Sequence, residues 1–267
     1  MWEGQDAVVI KALSLYLEPL LCKSTHRNCY HLKPNKGLKA AVKLCQHKAR
    51  GFKYVLKVDV KSYYQSMDHE TLYQQCARLV KDKSILKVLW RAIKRVDLRD
   101  GIYTDIKQGV PTGSSLSNIF GALYLSRVDE YFDSQKGLFY IRYMDDILIM
   151  SNSKFKIRRS LKSIYRLMKD LKVEIHRGNE KFYIGNLTNG VDFLGYRITS
   201  NKSMTLAQKT IENHLTKLRV LYEQRSSLET IAQYCQRFLR WVKAGLGDLL
   251  SDEISSDLMN LSSVLRK

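Results

Sequence analysis

Three aspartates stand where a carboxylate is costly, inside stretches whose apolar residues predict β-strands. Asp59 lies in the run 54–60, and Asp145 and Asp146 interrupt the run 139–150. An adjacent acid pair on an apolar hairpin is repelled and partly desolvated unless a cation compensates it. Carboxylates on neighbouring strands can hold Mg²⁺ together with substrate phosphate oxygens. The pattern therefore indicates metal-assisted phosphoryl transfer. The alternative for Asp145-Asp146 taken alone is the polar turn of a hairpin.

The charge balance of the chain suits a polyanionic partner. Lys and Arg number 45 against 26 Asp and Glu, a formal net charge of +19, while 45% hydrophobic and 27% charged residues are ordinary globular values. Nucleic acid is the first candidate and an anionic membrane surface the second. No apolar run is long enough for a transmembrane helix, and charges within the first 21 residues argue against a signal peptide. Five scattered cysteines without a C-x-x-C pair indicate reduced thiols in a cytosol-like compartment.

The elements that must position these acids form a mixed α+β part of about 200 residues, followed by helices. Apolar periodicity predicts helices over 6–21, 37–50, 72–79, 84–93, 114–132 and 157–171, strands over 54–60, 181–184 and 191–198, a hairpin over 139–150, and a turn-rich stretch over 97–113. From 205 onward the pattern is helical, and Ser226 to Glu229 predicts a capping box.

Several ordered segments resemble the motifs of reverse transcriptases. Motifs A, B and C are matched by 59–64 (Asp-Val-Lys-Ser-Tyr-Tyr), 108–118 (Gln-Gly-Val-Pro-Thr-Gly-Ser-Ser-Leu-Ser-Asn) and 143–146 (Tyr-Met-Asp-Asp), motif D by 179–181 and motif E by 191–196 (Val-Asp-Phe-Leu-Gly-Tyr). Segments 5–13, 17–20, 30–37 and 237–242 are similar to the fingers and thumb of bacterial, group II intron-like members. The resemblance covers almost the whole chain.

This resemblance implies a right-hand polymerase of the α+β class. The ferredoxin-like palm, an antiparallel sheet with helices, would span 54–204, after partial fingers over 1–53 and before a helical thumb over 205–267. The implied activity is RNA-directed DNA synthesis, in which a primer 3′-hydroxyl attacks a deoxynucleotide on an RNA template. The implied partners are the RNA template, a DNA or RNA primer, deoxynucleotides and, as a further candidate, a cognate structured non-coding RNA. No membrane is expected, and the expected location is the bacterial cytoplasm.

The resemblance also implies roles for individual residues. Two Mg²⁺ ions, for which Mn²⁺ can substitute, would be held by Asp59, the Val60 carbonyl, Asp145 and, more weakly, Asp146. The three acids are the expected catalytic residues. The expected nucleotide contacts are Tyr64 as a steric gate against a 2′-hydroxyl, Gln108, Gly109, and Lys181 as a cation or general acid on the pyrophosphate side. The expected template and primer contacts are Gly113, Ser114, Ser117, Asn118, Tyr143, Met144, Phe193, Leu194, Gly195 and Tyr196.

Some assignments have structural alternatives. Tyr64 can be a core tyrosine, Asn118 a helix hydrogen bond, and 193–196 an ordinary apolar hairpin. Five basic residues on one face of the helix 154–171 are interpreted as a solvated face. The basic residues of the helical tail are interpreted as contacts to the duplex backbone, namely Lys209, Lys217, Arg219, Arg237, Arg240 and Lys243.

The chain departs from the family pattern upstream. The Gly-Lys-x-Arg-Pro-type loop whose basic residue contacts the triphosphate has no counterpart, and Lys33 or Lys36 is the candidate replacement. Two rival functions stay open: an RNA-directed RNA polymerase, against which Tyr64 argues, and a catalytically impaired, maturase-like RNA-binding protein. The biological programme stays open among intron mobility, retron-like synthesis, phage defence and mutagenic retroelements.

Overall fold

The protein is seen in a computed structural model that describes residues 4–24, 27–32, 37–99, 101–178, 180–201 and 204–247. Lys33, Lys36 and Asn179 of the predicted motifs lie outside these ranges. The chain forms two compact units. The first is drawn from Met1–Ala41 and Tyr54–Gly185, and the second from Val42–Lys53 and Asn186–Lys267. The division into fingers, palm and thumb at residues 53/54 and 204/205 stays a prediction.

The elements follow one another in the order α1 (Gly4–Ser24), α2 (Gly37–Ala49), β1 (Tyr54–Asp59), α3 (Tyr63–Ser66), α4 (His69–Leu79), α5 (Lys83–Ile93), β2 (Val96–Arg99), β3 (Ile102–Asp105), α6 (Ser117–Tyr124), α7 (Ser126–Asp133), β4 (Phe139–Tyr143), β5 (Asp146–Ser151), α8 (Lys154–Asp170), β6 (Tyr183–Asn186), β7 (Val191–Phe193), β8 (Tyr196–Ile198), β9 (Thr205–Leu206), α9 (Gln208–Glu223) and α10 (Leu228–Leu246). None of the helices in the described ranges has both the length and the apolar character needed to cross a bilayer.

The first unit is built around a four-stranded sheet with strand order β4-β5-β1-β6. β5 is antiparallel to both β1 and β4. With helices between β1 and β4 and between β5 and β6, this is the split β-α-β-β-α-β arrangement of ferredoxin-like folds. The predicted α+β fold class with an antiparallel sheet is therefore confirmed.

The two faces of this sheet differ in what they carry. Leu56, Val58 and Ile147 belong to the main core together with Ile157 and Ile164 of α8. Successive strand residues point to opposite faces. Asp59 and Asp146, which are register partners, therefore lie on the face away from α8.

Local sequence explains where four of the helices in the described ranges begin. α4, α5 and α8 begin after Asp68, Asp82 and Ser153, whose side chains accept hydrogen bonds from backbone N–H groups of the first turn. The buried stripe of α8, which includes Ile157, Ile164 and Met168, follows the predicted helical spacing. The cap of α10 is Ser227 and not the predicted Ser226, because it is the Ser227 hydroxyl that accepts from Thr230 N.

Three predicted elements are divided in the structure. The predicted helix 114–132 is two helices, α6 and α7, that meet at Leu125, where φ is −98° and ψ is 11°. The turn-rich stretch 97–113 contains the hairpin β2–β3, and the residues of β3 are all exposed, so no alternation of burial marked it. The strand 191–198 is the hairpin β7–β8, whose turn residues Leu194 and Gly195 both have positive φ, as two-residue hairpin turns prefer.

The second unit joins the small sheet β7-β8-β9 to α9 and α10. Tyr196 stacks on Trp241 with ring centroids 4.8 Å apart, and its hydroxyl donates to the Trp241 carbonyl at 3.1 Å. Trp241 thus packs within this unit, and a Cβ at Gly195 would come within 2.8 Å of its ring.

Candidate active site

The sheet brings the three predicted acids to one place although they are far apart in the chain. Asp59 is the last residue of β1 and pairs across the strands with Asp146, the first residue of β5. Asp145 lies in the two-residue turn before β5, and its carbonyl accepts a hydrogen bond from Val60 N at 3.3 Å. The antiparallel register of β1 and β5 is therefore what assembles the group.

Asp59 is buried, Asp145 and Asp146 are half-buried, and the three acids repel one another. The pKa of Asp146 is raised to about 7, mainly by burial and also by the charges of Asp59 and Asp145, against the opposing effect of Lys57. Burial also raises the pKa of Asp145, with Asp59 as the next cause. Asp59 is 7% exposed. The folded chain thus holds negative charge that its own cations compensate only in part.

Two basic side chains contact Asp59. Lys181 Nζ lies 3.0 Å from Asp59 Oδ1, and this hydrogen bond raises the pKa of the lysine. His176 Nε2 lies 3.3 Å from the same oxygen, and its backbone N–H donates to the Asp59 carbonyl at 3.0 Å. The predicted motif D lysine therefore reaches the acids. His176 was not predicted, because nothing in the sequence distinguishes it from an ordinary loop histidine.

The donor atoms at this site suit a hard cation, although they are not closed around one point. Within the described part of the chain, no group of three or more His, Cys, Asp or Glu side chains is arranged to hold a metal ion. The donors on offer are nevertheless carboxylate oxygens, which Mg²⁺ prefers. The raised pKa values of Asp145 and Asp146 also show that added positive charge would be stabilising here.

The turn that carries Asp145 is held by hydrogen bonds to both backbone groups of Met144. Met144 has a φ of 55°, which is strained for a residue other than glycine. Its N–H donates to His31 Nδ1 at 3.2 Å, and its carbonyl accepts from Arg142 Nη1 at 2.9 Å. His31 Nε2 contacts the Asn118 carbonyl at 3.1 Å. Because Nδ1 accepts, the proton of the neutral ring lies on Nε2, and burial lowers the pKa of His31 to about 3. His31 lies in the segment 30–37 that is similar to the fingers, in which the sequence pattern singles out only Lys33 and Lys36.

Behind the turn, the Arg142 side chain is buried, and its guanidinium group has hydrogen-bond partners within the chain. Its side chain is 0% exposed and pairs with Asp129, which is 1% exposed. The Arg142 guanidinium also donates to the carbonyls of Gly121 and Ala122. Tyr140 donates to Asp129 at 2.6 Å. This ion pair supports the site from the helix side of the sheet.

The predicted steric gate lies beside the acids. Tyr64 is half-buried, and burial followed by the charge of Asp145 raises its pKa to about 12. Its neighbour Tyr63 is buried and donates to the Gly121 carbonyl at 2.7 Å. Gly121 leaves room for both rings, since a Cβ there would come within 3.1 Å of the Tyr64 hydroxyl.

The motif B loop is anchored next to this tyrosine. Gln108 Nε2 donates to the Ser66 carbonyl at 2.8 Å, and Gly109 N donates to the Met67 carbonyl at 2.8 Å. With a φ of +84°, Gly109 approaches the backbone so closely that a Cβ would lie 2.6 Å from the Gln65 carbonyl oxygen. The close approach that this glycine permits here is to the chain itself.

The predicted template and primer residues fall into two groups. In the first unit, Gly113 and Asn118 are exposed and Ser114 and Tyr143 are half-buried, whereas Ser117 is buried and donates to the Pro111 carbonyl. In the second unit, Phe193 and Tyr196 are fully buried. The turn residues Leu194 and Gly195 between them are half-buried, and the Gly195 carbonyl accepts hydrogen bonds from Ala207 N at 3.0 Å and from Thr210 Oγ1 at 2.9 Å. A primer contact at this turn stays a prediction.

Comparison with known proteins gives a consistent family. Residues 6–198 match the model of the family described as reverse transcriptase (RNA-dependent DNA polymerase). The protein YkfC of Escherichia coli K12 is 21% identical over 238 residues, which cover 74% of this chain and 62% of YkfC. The group II intron-encoded protein LtrA of Lactococcus lactis subsp. cremoris is 25% identical over 127 residues, which cover 48% of this chain and 20% of LtrA. The chain thus spans less than two thirds of the length of these relatives.

Solved structures share the fold. Apo telomerase from Candida tropicalis superposes with a TM-score of 0.60 at 15% identity, over 97% of this chain and 51% of that one. Telomerase from Candida albicans, in complex with a TWJ fragment of telomeric RNA, gives a TM-score of 0.58 at 16% identity, over 86% of this chain and 45% of that one. At such low identity the likeness establishes the fold.

Proposed function

Because the chain belongs to the reverse transcriptase (RNA-dependent DNA polymerase) family, we propose that it is an RNA-directed DNA polymerase that extends a primer 3′-hydroxyl with deoxynucleotides on an RNA template. The observation that supports this most is the group of Asp59, Asp145 and Asp146 at one end of the two central strands of the sheet, β1 and β5. A structural role does not account for three mutually repelling carboxylates with raised pKa values for Asp145 and Asp146.

Divalent metal, Mg²⁺ or its substitute Mn²⁺, would be held by Asp59, Asp145, the Val60 carbonyl and, more weakly, Asp146. When bound, it would supply Lewis-acid stabilisation of the charge that develops on the attacking and leaving oxygens.

The chain's own residues would do the rest of the chemistry. Lys181 remains protonated beside Asp59 and would neutralise or protonate the departing pyrophosphate. Tyr64 would form the wall beneath the sugar and exclude a 2′-hydroxyl. His31 and Arg142 would keep the Met144 peptide, and with it Asp145, in one orientation. Expected partners are the RNA template, the primer and deoxynucleotides.

Primer extension on an RNA template with Mg²⁺ tests the proposal. Wild-type protein should extend the primer, and Asp145→Asn should lower the rate by at least about 10³-fold, since roughly 4 kcal/mol of charge stabilisation would be lost. The matched control is Glu130→Gln, an exposed acid of α7, which should leave the rate unchanged. RNA binding without any incorporation by the wild type would favour the catalytically impaired, RNA-binding alternative.

A further inference from the structure

The outer face of α8 carries a row of basic side chains. We call it the α8 basic face and define it by six exposed residues: Lys154, Arg158, Arg159, Lys162, Arg166 and Lys169. Four of them recur at every fourth position, so that they follow one side of the helix and rise about 6 Å from one to the next. The face is therefore a linear array of positive charge about 20 Å long.

This charge is not compensated within the described part of the chain. No carboxylate there forms an ion pair with Lys154, Arg158, Arg159, Lys162 or Lys169. Like charges at i,i+4 destabilise a helix, and the only acid of α8 is Asp170 at its end. The helix is instead held by its buried apolar stripe. The charge array thus opposes helix stability and calls for a reason outside the fold.

Aromatic side chains lie among these cations. Phe155 is 72% exposed and Tyr165 is 36% exposed, both on the outer side of α8. The Arg177 guanidinium lies over the Tyr165 ring at 5.4 Å, and Arg166 lies over the ring of Tyr131 at 5.8 Å. Cations mixed with accessible aromatic rings suit a partner that has both phosphates and bases.

The face lies away from the candidate active site. The inner side of α8 packs in the main core with Leu56, Val58 and Ile147, on one face of the sheet. Asp59 and Asp146 lie on the other face. A polyanion bound to the outside of α8 would therefore not be the segment of template that is being copied.

We propose that the α8 basic face is a second nucleic-acid site, which binds the sugar–phosphate backbone of a folded RNA outside the polymerase site. Backbone contacts supply affinity with little sequence selectivity. A folded region of the template RNA held there would raise the local concentration of its single-stranded part at the active site. The choice of RNA as the occupant rests on the proposed function, whereas the binding site itself does not.

The test uses full-length protein and a blunt-ended RNA hairpin, which offers phosphates but no primer terminus. Arg158→Gln/Lys162→Gln/Lys169→Gln should weaken hairpin binding at least about 10-fold and lower the slope of log K against log salt by about 2. The matched control is Lys81→Gln/Lys83→Gln/Lys87→Gln, which removes the same charge from exposed positions on and beside α5 and should change both quantities little.

Further readouts separate the possible occupants and functions. Both triple variants should extend a primer on a short unstructured template at the wild-type rate, while the α8 variant alone should have a raised KM for a template that carries the hairpin. Asp145→Asn should bind the hairpin normally, so a failed polymerase assay leaves this inference testable. Four outcomes would each overturn the inference. Two concern the hairpin itself: equal loss of binding in both triple variants, or undiminished binding by the α8 variant. The other two concern the occupant: equal α8-dependent binding of a DNA duplex, or α8-dependent capture of phosphatidylserine vesicles in place of RNA.

Discussion

The two faces of the four-stranded sheet hold charge in opposite ways. On the helix side, Arg142 and Asp129 are fully buried, and each charged group is satisfied by partners within the chain. On the other side, Lys181 and His176 contact Asp59, and the charge of Lys57 opposes the shift of Asp146, yet burial with mutual repulsion raises the pKa values of Asp145 and Asp146.

The difference shows that burial of charge alone does not mark a functional site. A self-satisfied pair is part of the architecture, and removing either partner leaves the other charge stranded. A group of like charges with too few counter-charges is held in place by the rest of the fold. We expect its missing counter-charge to come from a bound ligand. The absence of internal compensation is therefore the more informative signal, and the α8 basic face has the same character with the opposite sign.

The largest expected effect comes from neutralising one acid on each face. Asp129→Asn should lower the free energy of unfolding by about 3–5 kcal/mol, because Arg142 would be left buried without its partner. Asp146→Asn should raise it at pH 8 by about 2 kcal/mol, roughly half of the full pKa effect because the partly exposed side chain is screened. Urea unfolding without divalent metal measures both, and primer extension should fall in Asp146→Asn despite the gain in stability.

A loss of stability in both variants would remove the contrast between the faces. The Asp146 carboxylate would then be as well compensated as that of Asp129, and the argument for an external cation would lose its main support.

Most of the fold and the central acids could be predicted because their signals are local. The apolar stripe of α8 predicts a helix, and the apolar runs around Asp59 and Asp145 predict strands. The order of the motifs then indicates which strands meet. What holds the site could not be predicted in this way. His31 and Met144 are 113 positions apart, and their contact depends on the backbone bonds by which residues 28 and 30 align with Arg142. The hairpin β2–β3 was missed because the residues of β3 are all exposed, so no alternation of apolar and polar residues marks that strand.

The next effect concerns His31. This residue has its own hydrogen-bond partners, and it holds the turn that carries Asp145. Its folded pKa of about 3 lies below the ordinary value of 6.5, so the unfolded chain binds the proton first. Stability should therefore be lost as pH falls through 6.5 towards 3, by about 1–2 kcal/mol at pH 5. His31→Gln should flatten this dependence in urea unfolding at pH 5 and 7.5, and His47→Gln, at an exposed position, should keep it.

The same variant reports on positioning. At neutral pH, His31→Gln should lower kcat for primer extension and leave KM for the deoxynucleotide near its wild-type value, since the turn and not the nucleotide pocket is changed. An unaltered kcat together with the flattened pH dependence would make His31 a purely structural residue.

The smallest effect is expected for two adjacent tyrosines, of which Tyr63 is buried and Tyr64 lies beside the acids. Tyr64→Ala should reduce discrimination against ribonucleotides by about 10-fold in kcat/KM, which corresponds to roughly 1.4 kcal/mol, and Tyr64→Phe should retain it, because the ring and not the hydroxyl forms the wall. Tyr63→Phe loses the hydrogen bond to the Gly121 carbonyl and should lower stability by about 1 kcal/mol with selectivity unchanged. Single-nucleotide incorporation with paired deoxy- and ribonucleotides measures the ratio. If Tyr63→Phe altered selectivity as much as Tyr64→Ala, the gate would be a property of the whole loop. The contrast between the helix side of the sheet, where charged groups have partners, and the side of the acids would then not extend to these two tyrosines.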